Sequence, residues 1–171
     1  MTPSALQQAP ATPILGPFVR LPGSPGYIPQ IDASVQVLVR GSDTGGAWSL
    51  VDYTIPARFA GPPPHWHAEA TEAFYGIEGV TTLEVDGREV CLQPGEVAVV
   101  PPGVVHRFRN DADRPARHLV LLTPAGFERY FDEVAALIAE EGAWPPADPG
   151  KVAALMARHD LQPAATAPHR P

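Results

Sequence analysis

The chain has a single cysteine, Cys91, among its 171 residues. That excludes an intramolecular disulfide and any centre built on several thiolates. Cys91 stands in "REVCLQPG" and reads as a small buried hydrophobe. No apolar run approaches the ~18 residues that a membrane span needs. The opening "MTPSALQQAPATPILGPF" lacks the basic start and sustained apolar core of a secretory signal, so the cytoplasm is the expected compartment. Clustered basic residues are missing too, and the net charge is -7. A phosphate backbone needs a basic stripe, so nucleic acid is not an expected partner. Arg107, Arg109, Arg114 and Arg117 are interspersed with Asp111 and Asp113 and read as a solvated turn and strand edge.

Proline and glycine are plentiful, at 22 and 15 residues, while hydrophobic residues make up 44% and charged residues 18%. This is the composition of one globular domain with many turns. Residues 1–33 show neither helix nor strand period and read as an N-terminal arm, with "GPFVRL" as the piece able to pack on a sheet edge. From "SVQVLV" onward apolar residues alternate, and short apolar runs are separated by regular turn signals. Asp86-Gly87 is a two-residue hairpin signal, because both residues tolerate positive φ. "VAVV" reads as a short, fully apolar strand. Residues 34–123 are therefore expected to form an all-β sandwich or barrel.

The period changes at "PAGFERYFDEVAALIAEEG", where Phe127, Tyr130, Phe131, Val134, Leu137 and Ile138 share one helix face and Gly142 is the stop. "DPGKVAALMARHDL" predicts a second helix, capped by Asp148, with Pro149 in its first turn. Residues 124–171 thus read as a helical extension, with "QPAATAPHRP" as a loose tail.

The chemistry is concentrated in "GPPPHWHAEATEAFYGIEG", Gly61 to Gly79. In an extended segment His65 and His67 point to one face, behind a proline run that stiffens the backbone. A carboxylate is close by. Glu69 has the parity of His67, whereas Glu72 needs a turn at "AEAT" to reach the same side. "GEVAVVPPGVVHRFRN", Gly95 to Asn110, then delivers His106 from a strand-turn-strand unit. Three imidazoles and one carboxylate suit a borderline divalent ion: iron, nickel, cobalt, manganese, copper or zinc. Such a set leaves positions open for a substrate or oxygen. His118, His159 and His169 lack partners at metal spacing and read as strand, helix and tail residues. Asn110 reads as a turn cap.

These two segments resemble the paired motifs of the cupins. His65, His67, Glu72 and Gly79 match the first motif, and counting back from Gly79 selects Glu72 over Glu69. Gly61 stands closer to His65 than the usual opening glycine. Gly95, Pro101, Gly103, His106 and Asn110 match the second motif. The resemblance implies a double-stranded β-helix, the jelly-roll barrel, with one or two C-terminal helices. It implies His65, His67, Glu72 and His106 as ligands of one divalent metal.

The flanking sequence, including "TPAGFERYF", is similar to small single-domain cupins related to flavonol (quercetin) 2,3-dioxygenase. That likeness implies a metal-dependent dioxygenase acting on a small aromatic or enediol molecule and O2, with Glu72 as the catalytic base. Phe74, Phe108, Tyr75, Phe127 and Phe131 are the candidates to bind substrate. Phe127, Tyr130 and Phe131 are also placed to seal the helix against the sheet or a dimer contact, and Trp66 should face away from the ligands. The alternatives are an acireductone-type dioxygenase and a non-enzymatic, metal-dependent binding cupin. A homodimer is expected, with the arm covering a sheet edge.

Overall fold

The structure, a computed structural model, describes residues 27–30 and 33–168. Among the described residues, eleven strands form two antiparallel sheets. In chain order they are β1 (Tyr27–Gln30), β2 (Ala33–Val39), β3 (Ser49–Ile55), β4 (His65–Trp66), β5 (Thr71–Glu78) and β6 (Thr81–Val85). β7 (Arg88–Leu92), β8 (Val97–Val100), β9 (His106–Arg109) and β10 (Ala116–Thr123) follow. Helices α1 (Glu128–Glu141) and α2 (Pro149–Arg158) come next, and β11 (Gln162–Pro163) is last. The larger sheet runs β1-β2-β3-β10-β5-β8 and the smaller runs β11-β4-β9-β6-β7.

The alternation seen in the sequence is the alternation that folds. Val35 and Val37, Val51, Tyr53 and Ile55, Phe74, Leu83, Phe108, and Val120 and Leu122 are all buried between the sheets. Each such side chain removed from water contributes roughly 1.5–3 kcal/mol. The β6–β7 hairpin turns at Asp86-Gly87, with φ of 50° and 72°. Asn110 caps its turn as expected, donating to the carbonyls of Pro56 and Arg114 and accepting from Ala112 N–H.

Helix α1 carries Phe131 and Val134 inward and ends at Gly142. Glu128, buried, accepts from the N–H groups of Gly41 and Gly126 at 2.9 and 2.7 Å. Together with the Arg40–Asp132 pair at 2.7 Å, it holds α1 to the loop between β2 and β3. Helix α2 is capped by Asp148, which accepts from Gly150 N–H at 2.8 Å.

Two expectations need correction. Cys91 is exposed, because β7 is an edge strand on which only Leu92 is buried. The apolar strand expected at "VAVV" is β8, also at a sheet edge, and alternation puts Val97 and Val99 on its outward face at 61% and 59% exposure while Val100 turns in. Residues 162–166 are no loose tail: β11 pairs with β4, Ala164 N–H donates to the Pro64 carbonyl, and a short 3-10 turn follows. In the segment read as an arm, β1 pairs with β2, whereas "GPFVRL" and His169 lie outside the described residues. No described helix is long and apolar enough to cross a membrane.

Candidate metal centre

Strands β4 and β9 are antiparallel neighbours, with His65 opposite His106. One residue past β4, His67 points to the same side, and the turn at Ala68–Ala70 brings Glu72 across on β5. The four side chains are buried, and one ligand atom from each lies within 4.8 Å of all the others. Glu69 is exposed and outside this cluster, as the motif spacing implies. Gly61 makes the approach possible: it has φ of +77°, and a Cβ there would lie 1.7 Å from the Phe108 carbonyl oxygen.

The rings are fixed in one tautomer by the main chain. Nδ1 of His65 faces the Pro63 carbonyl at 2.9 Å, Nδ1 of His67 faces that of Asp160 at 2.7 Å, and Nδ1 of His106 faces that of Val104 at 2.9 Å. A carbonyl only accepts, so each Nδ1 carries the proton and each Nε2 presents its lone pair when the ring is neutral. Nε2 of His67 is buried without a hydrogen-bond partner. A buried lone pair left unpartnered beside a carboxylate is what a coordinating ion would satisfy. The set therefore fits a divalent metal.

Electrostatics agree. Burial alone would push Glu72 up, but the hydrogen bond with His106 and the nearby rings hold it at about 2. Burial and the neighbouring His106 push His65 down to about 4, which keeps it neutral. For His106 burial works against the charged ring, yet the bond to Glu72 outweighs it and raises the value.

His65 and Glu72 open onto a cavity of about 850 Å³. Phe74, Phe108, Phe127 and Phe131 line it, together with Tyr53, Phe59 and Tyr130. The α1 aromatics thus face the cavity as well as sealing the sheet: Phe127 packs edge-on against His67 at 5.0 Å and stacks on Tyr130 at 5.2 Å. Tyr75 does not reach the cavity. Its parity is opposite to that of Phe74, and it lies on the outer sheet face at 41% exposure. Trp66 faces away from the ligands, as expected, and donates to the Pro163 carbonyl.

The Cupin_2 family, described as a Cupin domain, matches residues 51–122. The barrel has the cupin fold, and the family match falls within it. Quercetin 2,3-dioxygenase of Bacillus subtilis is 39% identical over 67 residues, which are 39% of this chain and 20% of that protein. Oxidoreductase OpS7 of Beauveria bassiana is 32% identical over 106 residues, 56% of this chain and 35% of that protein. The chain thus spans a fifth to about a third of these curated relatives. The structure of KdgF from Halomonas sp. superposes with a TM-score of 0.52 at 18% identity, over 58% of this chain and 86% of that one, and shows the shared fold.

Sequence reasoning missed Tyr53 and Phe59 as cavity residues, although the strand parity of Tyr53 with Val51 and Ile55 pointed inward. It also missed Asp160, far from the motifs in the chain. His118 is buried on β10 with Nδ1 3.0 Å from the Thr81 hydroxyl, and burial lowers it to about 4. His159 follows α2 and pairs with Glu133 at 2.8 Å.

Proposed function

We propose that this cupin is a metal-dependent dioxygenase for a planar, hydroxylated aromatic of the flavonol type. The observation that carries the reading is the aromatic cavity opening directly onto two of four buried ligands, His65 and Glu72. Sequence likeness to quercetin 2,3-dioxygenase over 67 residues supports it. His65, His67, Glu72 and His106 would hold the ion, which supplies a Lewis-acid centre with positions open to oxygen donors. The fixed rings orient their lone pairs without reorganisation.

Glu72 accepts the proton of the substrate hydroxyl. An ionised carboxylate is a weaker base than a phenolate, so the transfer would be favourable only for a hydroxyl that the bound ion acidifies. Phe74, Phe108, Phe127 and Phe131 grip the flat ring system and exclude water from the reacting carbons. In the overall reaction, O2 adds across the heterocycle, which opens to an ester as one carbon leaves as carbon monoxide. The expected homodimer would cover the exposed Tyr75, Val97 and Val99 on the outer sheet face.

The test is oxygen uptake with quercetin, on protein reconstituted anaerobically with each candidate ion in turn. Uptake matched by carbon monoxide supports the reading. Tight ion binding and quercetin retention without uptake would instead indicate a binding protein.

A further inference from the structure

The turn between His67 and Glu72 is held by one residue from the other end of the chain. Ala68 N–H donates to Asp160 Oδ1 at 2.7 Å, and Glu69 and Ala70 N–H donate to Oδ2 at 3.0 and 3.1 Å. The main-chain carbonyl of the same Asp160 accepts from Nδ1 of His67 at 2.7 Å. Asp160 therefore satisfies four donors in the segment that carries two metal ligands.

The placement is costly in isolation. Asp160 lies just past the C-terminus of α2, where the helix dipole disfavours a carboxylate. Its φ is 54°, a left-handed conformation that favours glycine or asparagine. Three charge-assisted hydrogen bonds to the turn offset both costs. Its neighbours reinforce the contact, because β11 pairs Pro163 with His65 and Gln162 with Trp66.

We propose that Asp160 is a positioning residue for the metal centre. Its carboxylate shapes the Ala68–Ala70 turn that brings His67 and Glu72 to one side, and its carbonyl locks His67 as the Nδ1–H tautomer. The proposal rests on the four-residue metal site described above. The C-terminal segment is then part of the centre.

The test uses the full chain with Asp160→Gly and Asp160→Asn, both of which tolerate the left-handed conformation. Asp148→Ala serves as control, because it removes the α2 cap without touching the turn. In the metal-free protein, long-range proton–nitrogen NMR reads the His67 tautomer, and hydrogen exchange reads the three turn amides. In the loaded protein, cobalt(II) absorption bands and chelator competition read ligand geometry and affinity.

The parent should show one His67 tautomer and slow turn amides. Asp160→Gly keeps the carbonyl but frees the turn that sets His67 beneath it. The tautomers should therefore mix, turn exchange should speed about tenfold or more, the cobalt bands should shift and affinity should weaken about 10–100-fold. Asp160→Asn should fall between, since one amide oxygen still accepts, and it decides the matter if the glycine variant does not fold. Unchanged tautomer and exchange in both variants, or equal changes in Asp148→Ala, would overturn the proposal. A parent that takes up no cobalt would remove the metal site itself, while the metal-free readouts still decide the role of Asp160 in setting His67.

Discussion

Nε2 of His106 lies 2.6 Å from Oε2 of Glu72, while Nδ1 of the same ring lies 2.9 Å from the Val104 carbonyl. With Nδ1–H donating to Val104, a neutral ring would set a lone pair against a carboxylate lone pair. A cation must stand between them. In the metal-free chain that cation is a proton, which is why His106 is raised and Glu72 lowered.

Metal uptake should therefore displace this proton. Below the raised value of His106, at pH 6, close to one proton should leave per ion bound, and the number should fall toward zero as pH rises through that value. Calorimetry in buffers of different ionisation enthalpy measures it. Glu72→Gln removes the charge that raises His106, so its proton release at pH 6 should be smaller. Equal release in both proteins would contradict the pairing.

His118 gives a separate pH dependence. Its folded value of about 4 lies below the ordinary 6.5, so folding favours the neutral ring. The stability it contributes is present above 6.5 and lost as pH falls from 6.5 to about 4. Full loss amounts to about 3 kcal/mol at ~1.4 kcal/mol per unit. Urea unfolding across that window should show a shallower slope for His118→Gln than for the parent. His65 adds a similar slope in metal-free protein, common to both, so the difference isolates His118.

Gly61→Ala should destabilise the fold by about 3 kcal/mol, through both positive φ and the collision with backbone. The added Cβ would lie 1.7 Å from the Phe108 oxygen, and neither atom belongs to a flexible side chain. Denaturant midpoints would measure the loss. A variant within 0.5 kcal/mol of the parent, roughly the range of ordinary surface changes, would show that the contact is not as close as described.

How much of this was legible in the sequence follows from how local each feature is. The clustered side chains lie in two short segments whose spacing survives as strand parity, so His65, His67 and His106 could be read together. Glu72 needed a turn at "AEAT", and the structure has one. Burial was harder, because it depends on which strand ends a sheet: Cys91 looks like a core residue until β7 proves to be an edge. The docking of residues 162–166 and the role of Asp160 rest on long-range pairing, which carries no periodic signal. The one clue was an aspartate at a helix end where glycine or asparagine is usual.

The cavity separates two aromatic neighbours. Phe127→Ala should raise KM for an aromatic substrate by about tenfold, since a lost aromatic contact is worth ~1–1.5 kcal/mol. Tyr75→Ala, on the outer face, should leave KM unchanged. Steady-state oxygen uptake compares them, and the reverse order would place the substrate elsewhere.

The central claim is that His65, His67, Glu72 and His106 hold one ion. Elemental analysis after anaerobic reconstitution and desalting tests it most directly, run on the parent and on His106→Ala with matching circular dichroism spectra. About one equivalent in the parent and loss of most of it in the variant is the expected result. A parent that retains no ion, or a variant that retains the full equivalent, would contradict it.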